Sequence, residues 1–281
     1  MKSEDLSFRI FRYAVSIFLT LFALAPIYVM LTSSLKPLVE VRNAFEWWPK
    51  HVTFEAFGEM WQTVPLARYF ANSLIVCTVS TLLALVVALA AAYGVSRYRF
   101  RGRGAFLGAV LSTQMFPGVL FLVPLVLIFV NIDELIGQDI LYQTRTGLIV
   151  TFLTFKLPFA TWMLVGYLDG IPKELDESAK VDGLNAFGAL TRIVIPVARP
   201  GIIAVAVYCF MTSWGELLFS SVMTNADTAT LAIGLRQYAT QQQVYWNQIM
   251  AASLAVSVPI ILIFLLVQRN LVSGLAAGSI K

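Results

Sequence analysis

The sequence predicts an all-α polytopic membrane protein with six transmembrane helices and both termini in the cytoplasm. Three observations predict it. Of 281 residues, 58% are hydrophobic and only 13% charged, a balance well outside the soluble globular range. Six apolar runs each approach the ~20 residues needed to cross the hydrocarbon. Lys and Arg gather in alternate connections, as positive cytoplasmic loops require.

In chain order, residues 1–12 are short and polar, with Lys2, Arg9 and Arg12. The first apolar run covers 13–31. A signal peptide shares the basic start but has an apolar core of only ~7–15 residues. The longer run predicts an uncleaved first span, with Thr32-Ser33-Ser34 as the one stretch suited to cleavage. In the mixed segment 32–71, Phe54, Phe57 and Trp61 share one helical face. They read as a helix lying at the membrane surface or as ordinary loop packing. Further spans are expected at 72–95, 105–130, 146–167, 201–224 and 249–267. No internal repeat or linker interrupts them. Residues 1–71 therefore form a first span and extracytoplasmic loop, 72–267 the main membrane domain, and 268–281 a cytoplasmic tail.

Orientation follows from the cations. The N-terminal side carries Lys2, Arg9, Arg12, Arg97, Arg99, Arg101, Arg103, Lys173, Lys180, Arg192, Arg199, Arg269 and Lys281. The other side carries Lys36, Arg42, Lys50, Arg68, Arg145 and Arg236. Thirteen against six puts both termini in the cytoplasm. The run Arg97 to Arg103 reads as a topology determinant touching anionic headgroups. Its glycines make no phosphate loop, because no strand precedes them and no Lys-Ser/Thr follows. The chain is thus not expected to hydrolyse ATP itself, and no nucleic-acid role is implied. Cys77 and Cys209 lie in apolar runs and His51 is the single histidine. They supply no disulfide framework and no metal site.

Charged groups inside spans are costly and are functional candidates by default. Lys156 lies mid-span beside Pro158, and Glu216 lies in the stretch SWGELL. At ~1.5 Å per residue their depths below the outer surface are about 15 Å and about 12 Å, so they either pair or face a common polar cavity. Gln114 precedes Phe116-Pro117-Gly118, where Pro and Gly can break helix hydrogen bonding and open backbone to a cavity. With Trp214, these residues are the candidate solute path. Interhelical packing is the competing role for each.

Lys173 to Pro196 is the long polar interruption of the second half. Glu174, Asp176 and Glu177 suit a helix N-terminus. Gly183 suits the position just past a helix end, and Asn185 suits the cap of a second helix. That helix is expected to run from Ala186 to about Arg192 and to end at Pro196. The stretch reads as a compact helical knob between two spans, suited to docking. Within it, Glu177, Ser178 and Ala179, then Gly183, Ile193, Ile195 and Pro196 fall at the spacing of the cytoplasmic "EAA" loop that this stretch resembles. That loop belongs to the permeases of ABC importers. Ser178 and Ile195 stand where the pattern has Ala and Leu.

The resemblance extends through AAAYGVSRYRFRGRG, TLAIGLRQY and the C-terminal NLVSGLAAGSIK. It is nearest to the smaller, six-helix permease of maltose-type carbohydrate importers, with Trp214-Gly215-Glu216 in place of a frequent Trp-Asn-Glu. The resemblance implies a type I (MetI-like) importer. It implies a homologous permease partner, two ATPase subunits that bind ATP and Mg, an extracytoplasmic solute-binding protein and a sugar substrate. It also implies that Glu177 and Ala179 seat the knob in the ATPase while Asp182 and Gly183 fix its turn. Residues 225–248 would reach the binding protein, and the tail with Gly274, Gly278 and Lys281 would reach the ATPases. A permease for another solute such as glycerol phosphate, or a non-transporting membrane scaffold, stays open. An intramembrane enzyme would need a nucleophile–base or metal constellation in the spans, and none is visible.

Overall fold

In the computed structural model, residues 6–43 and 45–278 are described, with side chains to Gln268. Thirteen α-helices are present among them: α1 (Leu6–Ser34), α2 (Leu38–Asn43), α3 (Glu55–Thr63), α4 (Leu66–Arg97), α5 (Arg103–Met115), α6 (Leu122–Ile136), α7 (Arg145–Asp169), α8 (Glu174–Val181), α9 (Ala186–Ala189), α10 (Ile195–Trp214), α11 (Leu218–Met223), α12 (Leu231–Gln237) and α13 (Trp246–Gly278). A 3₁₀ turn (Gly118–Phe121) precedes α6, and a π turn (Leu190–Val194) joins α9 to α10. Six helices are long and apolar enough to cross a membrane: Leu6–Ser34, Leu66–Arg97, Gly118–Ile136, Arg145–Asp169, Ala186–Trp214 and Trp246–Gln268.

The chain divides into two compact units. The first holds residues 1–66 and 234–258. In it, α1 shows apolar side chains outward along its length and buries only Thr32 and Ser34. Helix α3 buries Ala56 and Met60 and leaves Trp61 exposed, as is Phe54 just before it. Tyr238 Oη donates to the Met60 carbonyl. Glu40 accepts the N–H groups of Lys50 and His51, which hold its carboxyl below the ordinary range.

The second unit holds residues 67–233 and 259–281. Helix α7 packs against α5, α10 and α11. Its buried residues include a row at every fourth position: Leu148, Phe152, Lys156, Ala160, Leu164 and Leu168. Helix α4 carries a matching buried row of small and medium side chains: Val76, Ser80, Ala84, Ala88, Ala92 and Ser96. Rows of this spacing form ridges that interdigitate, and small residues let helix backbones approach closely. Ala88, Ala92, Ala160, Leu164, Val194, Ala198 and Val205 meet in one core. At Gly201 α10 comes close to α7, because a Cβ there would lie 2.5 Å from the Tyr167 ring.

The structure moves the limits of two expected spans. The run at 105–130 is not one helix. Phe116 is extended (φ −84°, ψ 133°), as a residue before proline tends to be, and α5 stops there. The crossing stretch begins at Gly118. The run at 201–224 likewise breaks at Gly215, and the crossing helix starts earlier, at Ala186. Pro196 therefore does not end the second knob helix. The π turn carries the chain through, with Ile195 N–H bonded to the Leu190 carbonyl. Pro196 then sits in the first turn of α10, where its missing N–H is tolerated. The tail positions Gly274 and Gly278 fall on the last turns of α13, and Lys281 lies outside the described residues.

The contact at Gly201 makes a prediction. Gly201→Ala overpacks the α7–α10 interface and lowers stability by about 1–3 kcal/mol, read as a lower melting temperature in detergent. Adding Tyr167→Ala restores most of the loss.

Candidate functional site

Two features stand out, a cavity among the spans and the knob. The cavity, of about 260 Å³, is lined by Gln114 from α5, Gly118 from the 3₁₀ turn, Phe152, Phe155, Lys156 and Phe159 from α7, Tyr208, Thr212 and Ser213 from α10, and Glu216 and Phe219 at α11. The two chain breaks create it. The break at Pro117 turns α5 into α6, and the break at Gly215 starts α11. Glu216, one residue before the Leu217 N-cap, holds the start of that short helix with its side chain. Its carboxylate accepts the N–H groups of Phe219 (2.9 Å) and Ser220 (3.0 Å) and the Ser220 hydroxyl (3.2 Å).

Lys156 is held differently. Only 6% exposed, it donates to Ser80 Oγ (2.6 Å) and Thr81 Oγ1 (3.1 Å) on α4 and lies 5.6 Å from the Phe152 ring centroid. The two charged side chains line one cavity, and among the described residues Lys156 has no carboxylate within 4.0 Å. Aromatic faces make much of the wall. Phe159 stacks on Tyr208 at 4.0 Å and Phe155 meets Phe219 at 4.8 Å. Of the expected path residues, Gln114, Lys156 and Glu216 come together here. Trp214 does not line the cavity. It is buried against Phe210 (5.3 Å) and Phe70 (5.8 Å), because Ser213 and Glu216 occupy the inward-facing positions on either side of the break.

The knob is closed by local hydrogen bonds. Leu184 N–H reaches the Ala179 carbonyl (2.9 Å) and Gly183 N–H reaches that of Lys180 (3.0 Å), the paired bonds of a Schellman end. Gly183 has φ +80°, a left-handed conformation that favours glycine. Asn185 Oδ1 then accepts Gly188 N–H at 2.8 Å and caps α9. Glu177, Ser178, Asp182, Gly183 and Pro196 are exposed, and Ile193 is half-buried. Ala179 is 1% exposed, so it packs inside this chain. The outward apolar groups are Val181, 89% exposed, and Phe187, 73% exposed.

Asp176 ties the knob to the spans. Arg97 Nε meets Asp176 Oδ2 at 2.7 Å with both side chains buried. Tyr93 Oη donates to Asp176 Oδ1 at 2.7 Å, and Arg97 Nη1 donates to the Leu168 carbonyl at 3.0 Å. Arg97 is thus a buried structural group and not a headgroup contact, and Asp176 does more than favour a helix N-terminus. Arg103 pairs with Asp169 at 3.0 Å on the surface. A buried pair that loses one member leaves an uncompensated charge, so Asp176→Asn should cost about 3–5 kcal/mol. Combining it with Arg97→Met should recover more than half of that, read by thermal unfolding of the purified protein.

Comparison with known proteins identifies this architecture. The family of binding-protein-dependent transport system inner membrane components matches residues 80–276. The chain is 36% identical over 272 residues to the inner membrane ABC transporter permease protein YcjP of Escherichia coli (strain K12), covering 95% of this chain and 94% of that protein. It is 32% identical to the diacetylchitobiose uptake system permease protein DasC of Streptomyces coelicolor, covering 91% of each. It is also 32% identical to the trehalose transport system permease protein SugB of Mycobacterium tuberculosis, covering 92% of this chain and 93% of that one. The fold is shared with a chain from a crystal structure of a bacterial ABC transporter involved in the import of the acidic polysaccharide alginate, at TM-score 0.77 and 21% identity, over 96% of this chain and 99% of that one. With its six apolar helices, its break-lined cavity and its knob, this chain belongs to the family of binding-protein-dependent transport system inner membrane components.

Proposed function

We propose that this chain is one of two homologous permease subunits of an ATP-driven importer, and that it carries a di- or oligosaccharide delivered by an extracytoplasmic binding protein. The observation that carries the reading is the knob, closed on itself, tied to α4 through Asp176, and presenting Val181 and Phe187 outward. An exposed apolar pair on a rigid helical knob suits a cleft in a partner. The excess of cations on the knob's side favours the cytoplasm, where an ATPase works. Two such ATPase subunits would bind the ATP and Mg. Their closure would push the knob as a rigid body and rock the spans between inward-open and outward-open. Glu177, Ser178, Asp182 and Gly183 would shape the docking face, Ala179 would pack the knob internally, and Ile193 and Pro196 would lead it into α10. The loop 225–248 would face the binding protein, and the tail with Gly274, Gly278 and Lys281 the ATPases.

A saccharide fits the cavity chemistry. Aromatic faces at Phe159 and Tyr208 suit a pyranose ring, and the Gln114 amide and Glu216 carboxylate suit its hydroxyls. The names of the diacetylchitobiose and trehalose relatives point the same way.

The test is the ATPase rate of the complex purified through this subunit and reconstituted with its binding protein, across a sugar panel. One sugar should raise the rate. Phe187→Asp and Gly183→Asp should cut that stimulation at least tenfold while leaving this subunit folded. Normal sugar-stimulated hydrolysis in Gly183→Asp contradicts the coupling role.

A further inference from the structure

Resting on the importer reading, we propose that Lys156 makes the cavity selective for a saccharide bearing one negative charge, such as a uronate or a sulfonated sugar. The geometry starts with an imbalance. The ammonium of Lys156 is buried within a span, and its hydrogen-bond partners are the neutral hydroxyls of Ser80 and Thr81. Hydroxyl dipoles and the Phe152 face orient toward a cation but do not cancel its charge. A cation in such a place is costly without a counter-ion.

The cavity's other charged group does not supply that counter-ion. Both Glu216 oxygens are engaged by the Phe219 and Ser220 N–H groups, with the Ser220 hydroxyl on one of them. Glu216 is thus held by three neutral donors of its own turn, while Lys156, lining the same cavity, has two neutral hydroxyls as its hydrogen-bond partners. An anionic group entering there would gain a charge-assisted hydrogen bond where a neutral hydroxyl would gain an ordinary one.

Lys156 is the group of the cavity that can meet an anion directly, because the oxygens of Glu216 are turned to the donors of its own turn. Lys156 is the one cation among the lining residues. One carboxylate or sulfonate is matched by it. A dianionic phosphate would leave a second charge unmatched in the same cavity as Glu216. The ring of the saccharide would lie on the Phe159–Tyr208 stack, with its acidic substituent toward α4.

The test uses the whole complex, with binding protein and ATPases, in proteoliposomes. The probes are methyl glucoside, methyl glucuronide and methyl sulfoquinovoside, followed by matched neutral and uronic disaccharides. An acidic saccharide should be accumulated in preference to its neutral counterpart. In complexes that still assemble on size exclusion, Lys156→Gln should cut acidic uptake at subsaturating concentration at least tenfold and erase the preference. Lys156→Arg, which keeps the charge, should stay within a few fold of the parent. The carboxylate and sulfonate probes separate the two anion types. If only neutral saccharides are carried, or if Lys156→Gln lowers neutral and acidic uptake alike, the charge assignment is overturned and the sugar reading survives. If no saccharide of either kind is carried by an assembled complex, both fall together.

Discussion

The buried pair of Arg97 and Asp176 is the constraint on which the rest of the second unit depends. A buried ion pair holds only if its geometry is good and its remaining donors and acceptors are used. Here Tyr93 takes the second carboxylate oxygen and the Leu168 carbonyl takes one guanidinium N–H, while Arg97 Nη2 is buried without a hydrogen-bond partner among the described residues. Those partners come from different places: the end of α4, the first turns of α8 and the end of α7. One cluster therefore fixes the knob to two spans at once. With its inner face so held, the knob can expose Val181 and Phe187 without losing its shape, since the Gly183 turn and the Asn185 cap close it from within.

Above this clamp the same two helices run together as rows of buried residues at every fourth position. Near the clamp the rows are alanine and leucine, and the helices meet closely. Further along, the rows bring Ser80 opposite Lys156. The register that packs Ala88 and Ala92 with Ala160 and Leu164 is thus the register that places the lysine. The cavity opens where regular helix stops, at Phe116-Pro117 and at Gly215. Glu216 repairs the second break with its side chain. This residue, which satisfies exposed backbone at the start of α11, also lines the cavity.

Much of this was legible in the sequence. The number of spans, the Gly183 turn, the Asn185 cap and the charge of Lys156 inside a span all follow from local patterns, and local patterns depend only on neighbouring residues. Glu216, by contrast, falls just past the end of its crossing helix at Trp214. What escaped depends on distant residues. Arg97 stands in a run of arginines, and nothing in RYRFRGR marks which member turns inward. Asp176 is equally at home at an exposed helix start. The hydroxyl partners of Lys156 lie on another helix, with no spacing to announce them. Trp214 sits beside Glu216 in sequence, yet the break at Gly215 sends it against Phe70 and Phe210. Pro196 reads as a stop because proline usually ends a helix, and the π turn before it removes that conflict.

The central claim is that the knob and the end of α4 move as one body when the ATPases close. The most direct measurement is the distance between spin labels at Val181 and Arg99, both exposed, with the buried thiols Cys77 and Cys209 replaced by alanine. It would be recorded in the assembled complex with and without ATP. The account predicts one narrow distance distribution, unchanged between the two states. A second distance, or a shift of the first on adding ATP, would show that the knob pivots on α4, and the Arg97–Asp176 clamp would not be the element that transmits the motion.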